Sequence, residues 1–129
     1  MTALRLFLHV LAASVWVGGQ IVLAGLVPTV RTLGEDAPGL VARAYQRIAW
    51  PAFGLVVLTG LWNLMVIPLN DLPHPWVELH VLAVVLSGLG AFVHQQAKGN
   101  TALLAVGGAV SSVFAVVAMY LGLVVTTTV

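Results

Sequence analysis

The sequence predicts an all-α integral membrane protein, a bundle of four transmembrane helices. Of its 129 residues, 60% are hydrophobic and 7% are charged, and the mean hydropathy is +1.07, which lies outside the range of soluble globular domains. The apolar residues form four runs, each long enough to cross a hydrocarbon core of about 30 Å as a helix. Cysteine is absent and the net charge is +1, which excludes disulfides, thiolate sites and a basic surface for nucleic acid. We expect one domain over residues 1–129.

Helix-breaking residues separate the four predicted spans. The spans lie near residues 4–27, 48–67, 77–97 and 102–125. Pro28 directly follows the first span, where its missing N–H does least harm. Asp36 is a predicted N-cap with Pro38 in the first turn, so a short amphipathic helix is expected from there into the second span. Residues 98–100, Lys-Gly-Asn, predict a tight turn between the third and fourth spans.

The basic residues predict the orientation in the membrane. Arg31, Arg43, Arg47 and Lys98 lie in the first and third connections, whereas Arg5 alone lies on the other side. Cytoplasmic connections carry the excess of lysine and arginine in membrane proteins. Both termini are therefore expected on the outer side. We expect a multi-pass protein of the cell inner (plasma) membrane.

Two histidines lie inside apolar runs. His9 is about one turn into the first run, and His80 has a similar depth at the start of the third. Ionisable side chains within membrane spans are rare, usually face the bundle interior and mark functional sites. We expect His9 and His80 to hold a metal or cofactor at the outer end of the bundle. The alternative is a structural subunit in which both histidines only form hydrogen bonds between helices.

Three further candidate ligands lie at the same predicted level. His74 is in the outer connection, Met65 lies late in the second span, and Met119 lies near the outer end of the fourth. Imidazole and thioether ligands together suit Cu(I), while methionine also fills gaps in apolar packing. One hypothesis is thus a copper site of His9 and His80 with Met65, Met119 or His74.

Polar residues recur at seven-residue intervals in three spans, which keeps them near one face of each helix. The stripes are His9 and Trp16 in the first span, His80, Ser87 and His94 in the third, and Ser112, Met119 and Thr126 in the fourth. We expect these stripes to converge on the axis of the bundle. Trp16 is accordingly a predicted neighbour of a cofactor held by His9.

The spacing of His80 and His94 raises the question of a second site. Fourteen residues correspond to about 21 Å along a helix at 1.5 Å per residue. This spacing resembles the histidine pairs of dihaem b-type cytochromes, but the first span has Gln20 and no histidine at its inner end. One outer haem site is therefore predicted, and His94 is expected to be interfacial.

Two stretches of the chain resemble a known family. Residues 8–19 read L-H-V-L-A-A-S-V-W-V-G-G, and residues 45–63 read Y-Q-R-I-A-W-P-A-F-G-L-V-V-L-T-G-L-W-N. They resemble the first two helices of the copper resistance protein D (CopD) membrane domain. The first helix is also similar to that of HemJ-type membrane protoporphyrinogen oxidases, which bind b-type haem. Both families tend to have a lysine where this chain has His80, and neutral imidazole binds both copper and haem iron.

Two functions follow from these patterns. The resemblance implies copper handling or transport, with copper supplied by a periplasmic donor. The alternative is one b-type haem ligated by His9 and His80, used in electron transfer or in the oxidation of a quinol or porphyrin. Whether the chain is an enzyme stays open, because His80 replaces the lysine of both families. Besides the lipid bilayer, a second copy of the chain is an expected partner.

Overall fold

The computed structural model describes all 129 residues and is helical throughout, without strands. The four long helices are α1 (Thr2–Arg31), α2 (Ala37–Met65), α3 (Trp76–Gln96) and α4 (Thr101–Thr128), and a short 3-10 helix (Leu69–Asp71) follows α2. Each long helix is long and apolar enough to cross a membrane. This architecture confirms the predicted fold class. The chain is a multi-pass membrane protein, while its orientation and its particular membrane stay predictions.

Three of the four helices, α1, α2 and α4, are longer than the predicted spans, whereas α3 matches its span to within one residue at each end. α1 continues through Pro28 to Arg31, although the first span was expected to stop at residue 27. α2 begins after the N-cap residue Asp36 and contains Pro51, so the predicted amphipathic helix and the second span form one helix. The predicted cap position is therefore confirmed, but the Asp36 side chain makes no capping hydrogen bond. Proline inside membrane helices is tolerated where local adjustments satisfy the released carbonyl.

The chain divides into two compact units, Met1–Val66 and Ile67–Val129. α1 packs against α2 in the first unit, and α3 packs against α4 in the second. Both pairs are antiparallel, because the start of one helix contacts the end of the other. His9, His80 and His94 are each positioned by the neighbouring helix of their own unit.

The turn between α3 and α4 confirms the prediction for residues 98–100. Gly99 has a φ of 84°, in the left-handed region that glycine adopts without steric cost. Asn100 then caps α4, since its side chain accepts a hydrogen bond from the Leu103 N–H at 3.1 Å. The turn reverses the chain within three residues and thereby sets the register of α3 on α4.

Candidate functional site

His9 lies on the face of α1 that contacts α2. Its Nδ1 is 2.8 Å from Thr59 Oγ1. The Thr59 hydroxyl has one proton and donates it to the Leu55 carbonyl at 2.6 Å, so His9 is the donor in its bond to Thr59. A neutral imidazole protonated on Nδ1 carries its lone pair on Nε2. A Cβ at Gly60 would lie only 3.3 Å from His9 Cε1, so this glycine makes room for the ring.

His80 has the same protonation pattern in the second unit. Its Nδ1 lies 2.8 Å from the main-chain oxygen of Ala118. A carbonyl can only accept, so Nδ1 carries the proton and Nε2 the lone pair. Gly122, one turn further along α4, leaves the space beside the ring, since a Cβ there would lie 3.2 Å from His80 Cε1.

His94 repeats this arrangement at the other end of α3. Its Nδ1 lies 2.7 Å from the main-chain oxygen of Leu104, and a Cβ at Gly108 would lie 3.0 Å from the same nitrogen. From the sequence, His94 is expected to be an interfacial residue. The structure shows in addition that the imidazole is fixed against α4 in the Nδ1-protonated form.

The three imidazoles share a feature of histidines that bind metals. A ligating histidine almost always donates its second ring N–H to a carboxylate, a backbone carbonyl or water, which fixes the tautomer and orients the ring. His9, His80 and His94 each donate Nδ1–H to an oxygen of the neighbouring helix. Their chemistry therefore fits Nε2 ligation of a haem iron or a copper ion. The same bonds also join the helices of each pair.

Arg5 adds a positive charge one turn before His9 on α1. Its Nε donates a hydrogen bond to Asn63 Oδ1 on α2. The side chain is half-buried, and the only ion pair of the chain lies elsewhere, between His74 and Glu78. A guanidinium has five N–H donors in a planar fork. Arg5 can therefore bind an anionic oxygen beside His9 while it keeps its bond to Asn63.

The other predicted copper ligands differ in their surroundings. Met65 is the last residue of α2 and is 84% exposed. His74 is hydrogen-bonded through Nδ1 to the Glu78 carboxylate. Met119 is 38% exposed and follows Ala118, the residue whose carbonyl accepts the His80 bond. No group of three or more histidine, cysteine, aspartate or glutamate side chains is placed to hold a metal ion. The copper site stays a prediction, as does the pairing of His9 with His80.

Trp16 belongs to an aromatic cluster between α1 and α2, formed by Trp16, Trp50 and Phe53. Its ring is 5% exposed, with centroids 4.5 Å from Phe53 and 5.5 Å from Trp50. The Tyr45 hydroxyl donates to its main-chain oxygen at 3.1 Å. These contacts give Trp16 a packing role two turns from His9, and its predicted contact with a cofactor stays a prediction.

The glycines beside the histidines were not predicted from the sequence as neighbours of the imidazole rings. The structure places Gly60, Gly108 and Gly122 against the three imidazole rings. The positions of Gly108 and Gly122 can be predicted from the turn at residues 98–100, because the turn of an antiparallel helical hairpin sets which residues of the two helices lie level.

No protein-family model, no curated protein and no solved structure matches this chain. The likeness of its first two helices to the CopD and HemJ-type families therefore stays a prediction.

Proposed function

We propose that this protein binds a b-type haem through Nε2 of His9 and Nε2 of His80, and that it serves in electron transfer or in quinol or porphyrin oxidation at the inner membrane. The observation that carries the proposal is the Nδ1–H donation of each imidazole to an oxygen of the adjacent helix. This bond leaves Nε2 as the basic nitrogen and holds the ring in one orientation. A bound haem would supply a one-electron redox centre.

A positive charge close to His9 suits the anionic groups of haem. Gly60 and Gly122 let the His9 and His80 rings pack closely against the adjacent helix, since a Cβ at either position would lie 3.3 or 3.2 Å from the ring. Haem b also carries two propionate carboxylates, and a charge-assisted bond from a guanidinium to a carboxylate is among the stronger polar contacts. Arg5, one turn from His9 and without a carboxylate partner in the chain, would supply that contact.

Copper handling at the same histidines is the second candidate. The observation in its favour is the position of the Met119 thioether. Met119 directly follows Ala118, and the Ala118 carbonyl accepts the hydrogen bond of His80. A copper ion with imidazole and thioether ligands matches the preference of Cu(I). In this case a periplasmic donor would deliver the metal, and His74 or Met65 would complete the ligand set.

An absorption spectrum together with metal analysis of the purified full chain tests the proposal. The chain is produced in cells supplied with both a haem precursor and copper, and is purified in detergent. We expect a Soret band and bound iron, both lost in His9→Ala and in His80→Ala. His74→Ala is the matched control and should retain the full Soret band. Circular dichroism shows whether each variant keeps its helices.

Bound copper without a Soret band, lost in the same two variants, would overturn the haem proposal in favour of copper handling. Full haem occupancy after loss of His9 would contradict ligation by that residue. Purified protein without haem or copper would return both histidines to a purely structural role.

A further inference from the structure

One face of α2 is exposed through the first half of the helix and carries two arginines. Arg43 and Arg47 are both exposed, and residues four positions apart project from the same face of a helix. The face continues on both sides of this pair with further exposed residues, which are Leu40, Ala44, Ile48 and Pro51. Two positive charges thus lie within an exposed apolar surface.

The two arginines lie at the boundary of the apolar part of α2. Residues 48–65 contain no charged side chain, and these 18 residues correspond to about 27 Å at 1.5 Å per residue. This length nearly fills a hydrocarbon core of about 30 Å. Arg47 therefore lies at the edge of that core, and Arg43 lies about 6 Å further out, in the headgroup layer. Both guanidiniums are within reach of lipid phosphates.

Neither guanidinium is paired with a carboxylate of the chain. α2 contains no aspartate or glutamate, and the only ion pair of the protein joins His74 to Glu78. Like charges one turn apart on a helix repel each other. Each guanidinium has five N–H donors in a planar fork, so both can donate to the oxygens of one anion. An anion bound between them would also offset their repulsion.

The Arg43 side chain extends toward the headgroup layer. A Cβ at Gly39 would lie 3.3 Å from Arg43 Nη1, so the guanidinium lies over the preceding turn of α2. This direction leads away from the hydrocarbon core, as is usual for long basic side chains at a membrane interface. The nearest carboxylates along the chain, Glu35 and Asp36, form no ion pair with Arg43.

We infer that Arg43 and Arg47 bind the phosphate of an anionic phospholipid, with its acyl chains along the exposed apolar face of α2. A guanidinium binds phosphate through two parallel charge-assisted hydrogen bonds. The apolar continuation of the face, where Ile48 is 61% exposed, favours a lipid over a soluble phosphate. A second copy of the chain fits less well, because a symmetric contact of identical faces would bring like charges together. This inference does not depend on the proposed function.

Native mass spectrometry of the full chain in detergent tests the inference. The probes are phosphatidylglycerol and phosphatidylcholine with identical acyl chains, because both have a phosphate and only the first has a net negative charge. We expect preferential binding of phosphatidylglycerol, weakened about fivefold in Arg43→Gln and again in Arg47→Gln. Arg31→Gln is the matched control, since it removes the same charge from the last turn of α1. It should leave binding nearly unchanged.

A double lysine variant gives an independent readout. Arg43→Lys with Arg47→Lys keeps both charges but lacks the planar fork, so it should also bind phosphatidylglycerol more weakly. Full binding by this variant, or an equal loss in Arg31→Gln, would reduce the effect to net charge and overturn the phosphate site. Circular dichroism shows whether each variant keeps its helices.

Two further outcomes would assign the face to another occupant. Displacement of phosphatidylglycerol by inorganic phosphate would identify a site for a soluble anion. A dimer in the mass spectrum that dissociates in Arg43→Gln, without preference between the two lipids, would identify an interface between copies of the chain. Either result would overturn the lipid site.

Discussion

The two helix pairs hold their histidines by different means. Between α1 and α2, His9 donates to a side chain, Thr59, and Arg5 donates to Asn63 one turn away. Between α3 and α4, His80 and His94 donate to main-chain carbonyls. The acceptor of the histidine is thus a side chain in the first pair and the main chain in the second.

The difference follows from how closely each pair approaches. In α3–α4, a Cβ at Gly107 would lie 2.5 Å from the His94 main-chain nitrogen, which leaves no room for a side chain. In α1–α2, Gly18 and Gly54 have nothing within 4 Å, and the aromatic cluster fills the contact instead. Where the two helix backbones are close, a histidine can donate its hydrogen bond to a main-chain carbonyl. Where the helices are further apart, it needs a side chain as the acceptor. Substitutions should therefore affect the two pairs unequally.

The largest effect is expected for a side chain added where the backbones touch. Gly107→Ala should destabilise α3–α4 by about 3 kcal/mol, toward the upper end of the cost of overpacking, because backbone atoms cannot move aside. The measurement is unfolding in sodium dodecyl sulfate followed by circular dichroism. Gly54→Ala is the control and should leave stability unchanged. Equal stability of the two variants would contradict the close approach of α3 and α4.

Loss of the central aromatic ring should have the next largest effect. Trp16→Ala should lower the free energy of unfolding by about 2 kcal/mol, because the substitution leaves a cavity between the helices. The loss is smaller than in a soluble core, since separated membrane helices expose the tryptophan side chain to lipid and not to water. The same unfolding assay measures it. Trp62→Ala is the matched control, since Trp62 is 38% exposed. A Trp62 variant as unstable as the Trp16 variant would refute the aromatic cluster as the main contact of α1–α2.

The smallest effect is expected at the hydroxyl that accepts from His9. Thr59→Val removes the acceptor and should cost about 1 kcal/mol, the net value of one hydrogen bond. Nitrogen NMR of labelled histidine should show that His9 loses its fixed Nδ1–H tautomer while His80 keeps it. Thr59→Ser restores the hydroxyl and should retain the tautomer. Ala118→Ser, at the equivalent position of the second pair, should leave His80 unchanged because its acceptor is main chain. A shift in His80 instead would contradict that assignment.

The sequence of the turn allows part of the register of α3 on α4 to be predicted. A helical hairpin that reverses at Gly99 pairs residues equally distant from it, by 19, 12 and 5 positions: His80 with Ala118, Ser87 with Ser111, and His94 with Leu104. The turn itself was predicted from residues 98–100. The pairing needs only the further step of counting outward on both sides.

Counting outward from the turn does not predict which face of α4 packs on α3. The seven-residue stripe of Ser112, Met119 and Thr126 was expected to converge on the axis of the bundle, and this stays a prediction. The contact of α4 with α3 involves other residues, Gly107, Ser111 and Ala118. Lipid tails are as apolar as a helix interface, so hydropathy does not distinguish the two faces. Small residues that allow close approach mark the packed face instead.

The sequence alone determined four membrane-length helices, the turn at residues 98–100 and the position of His9 and His80 within two of those helices. Length and hydropathy suffice for this, because a chain in lipid must satisfy its backbone within each helix. Only the tertiary structure decided which nitrogen of each histidine carries the proton. The acceptors of His9 and His80 lie 50 and 38 residues away along the chain. The turn at residues 98–100 predicts that Ala118 lies level with His80, but it does not predict the hydrogen bond, which depends on how the two helices rotate and pack.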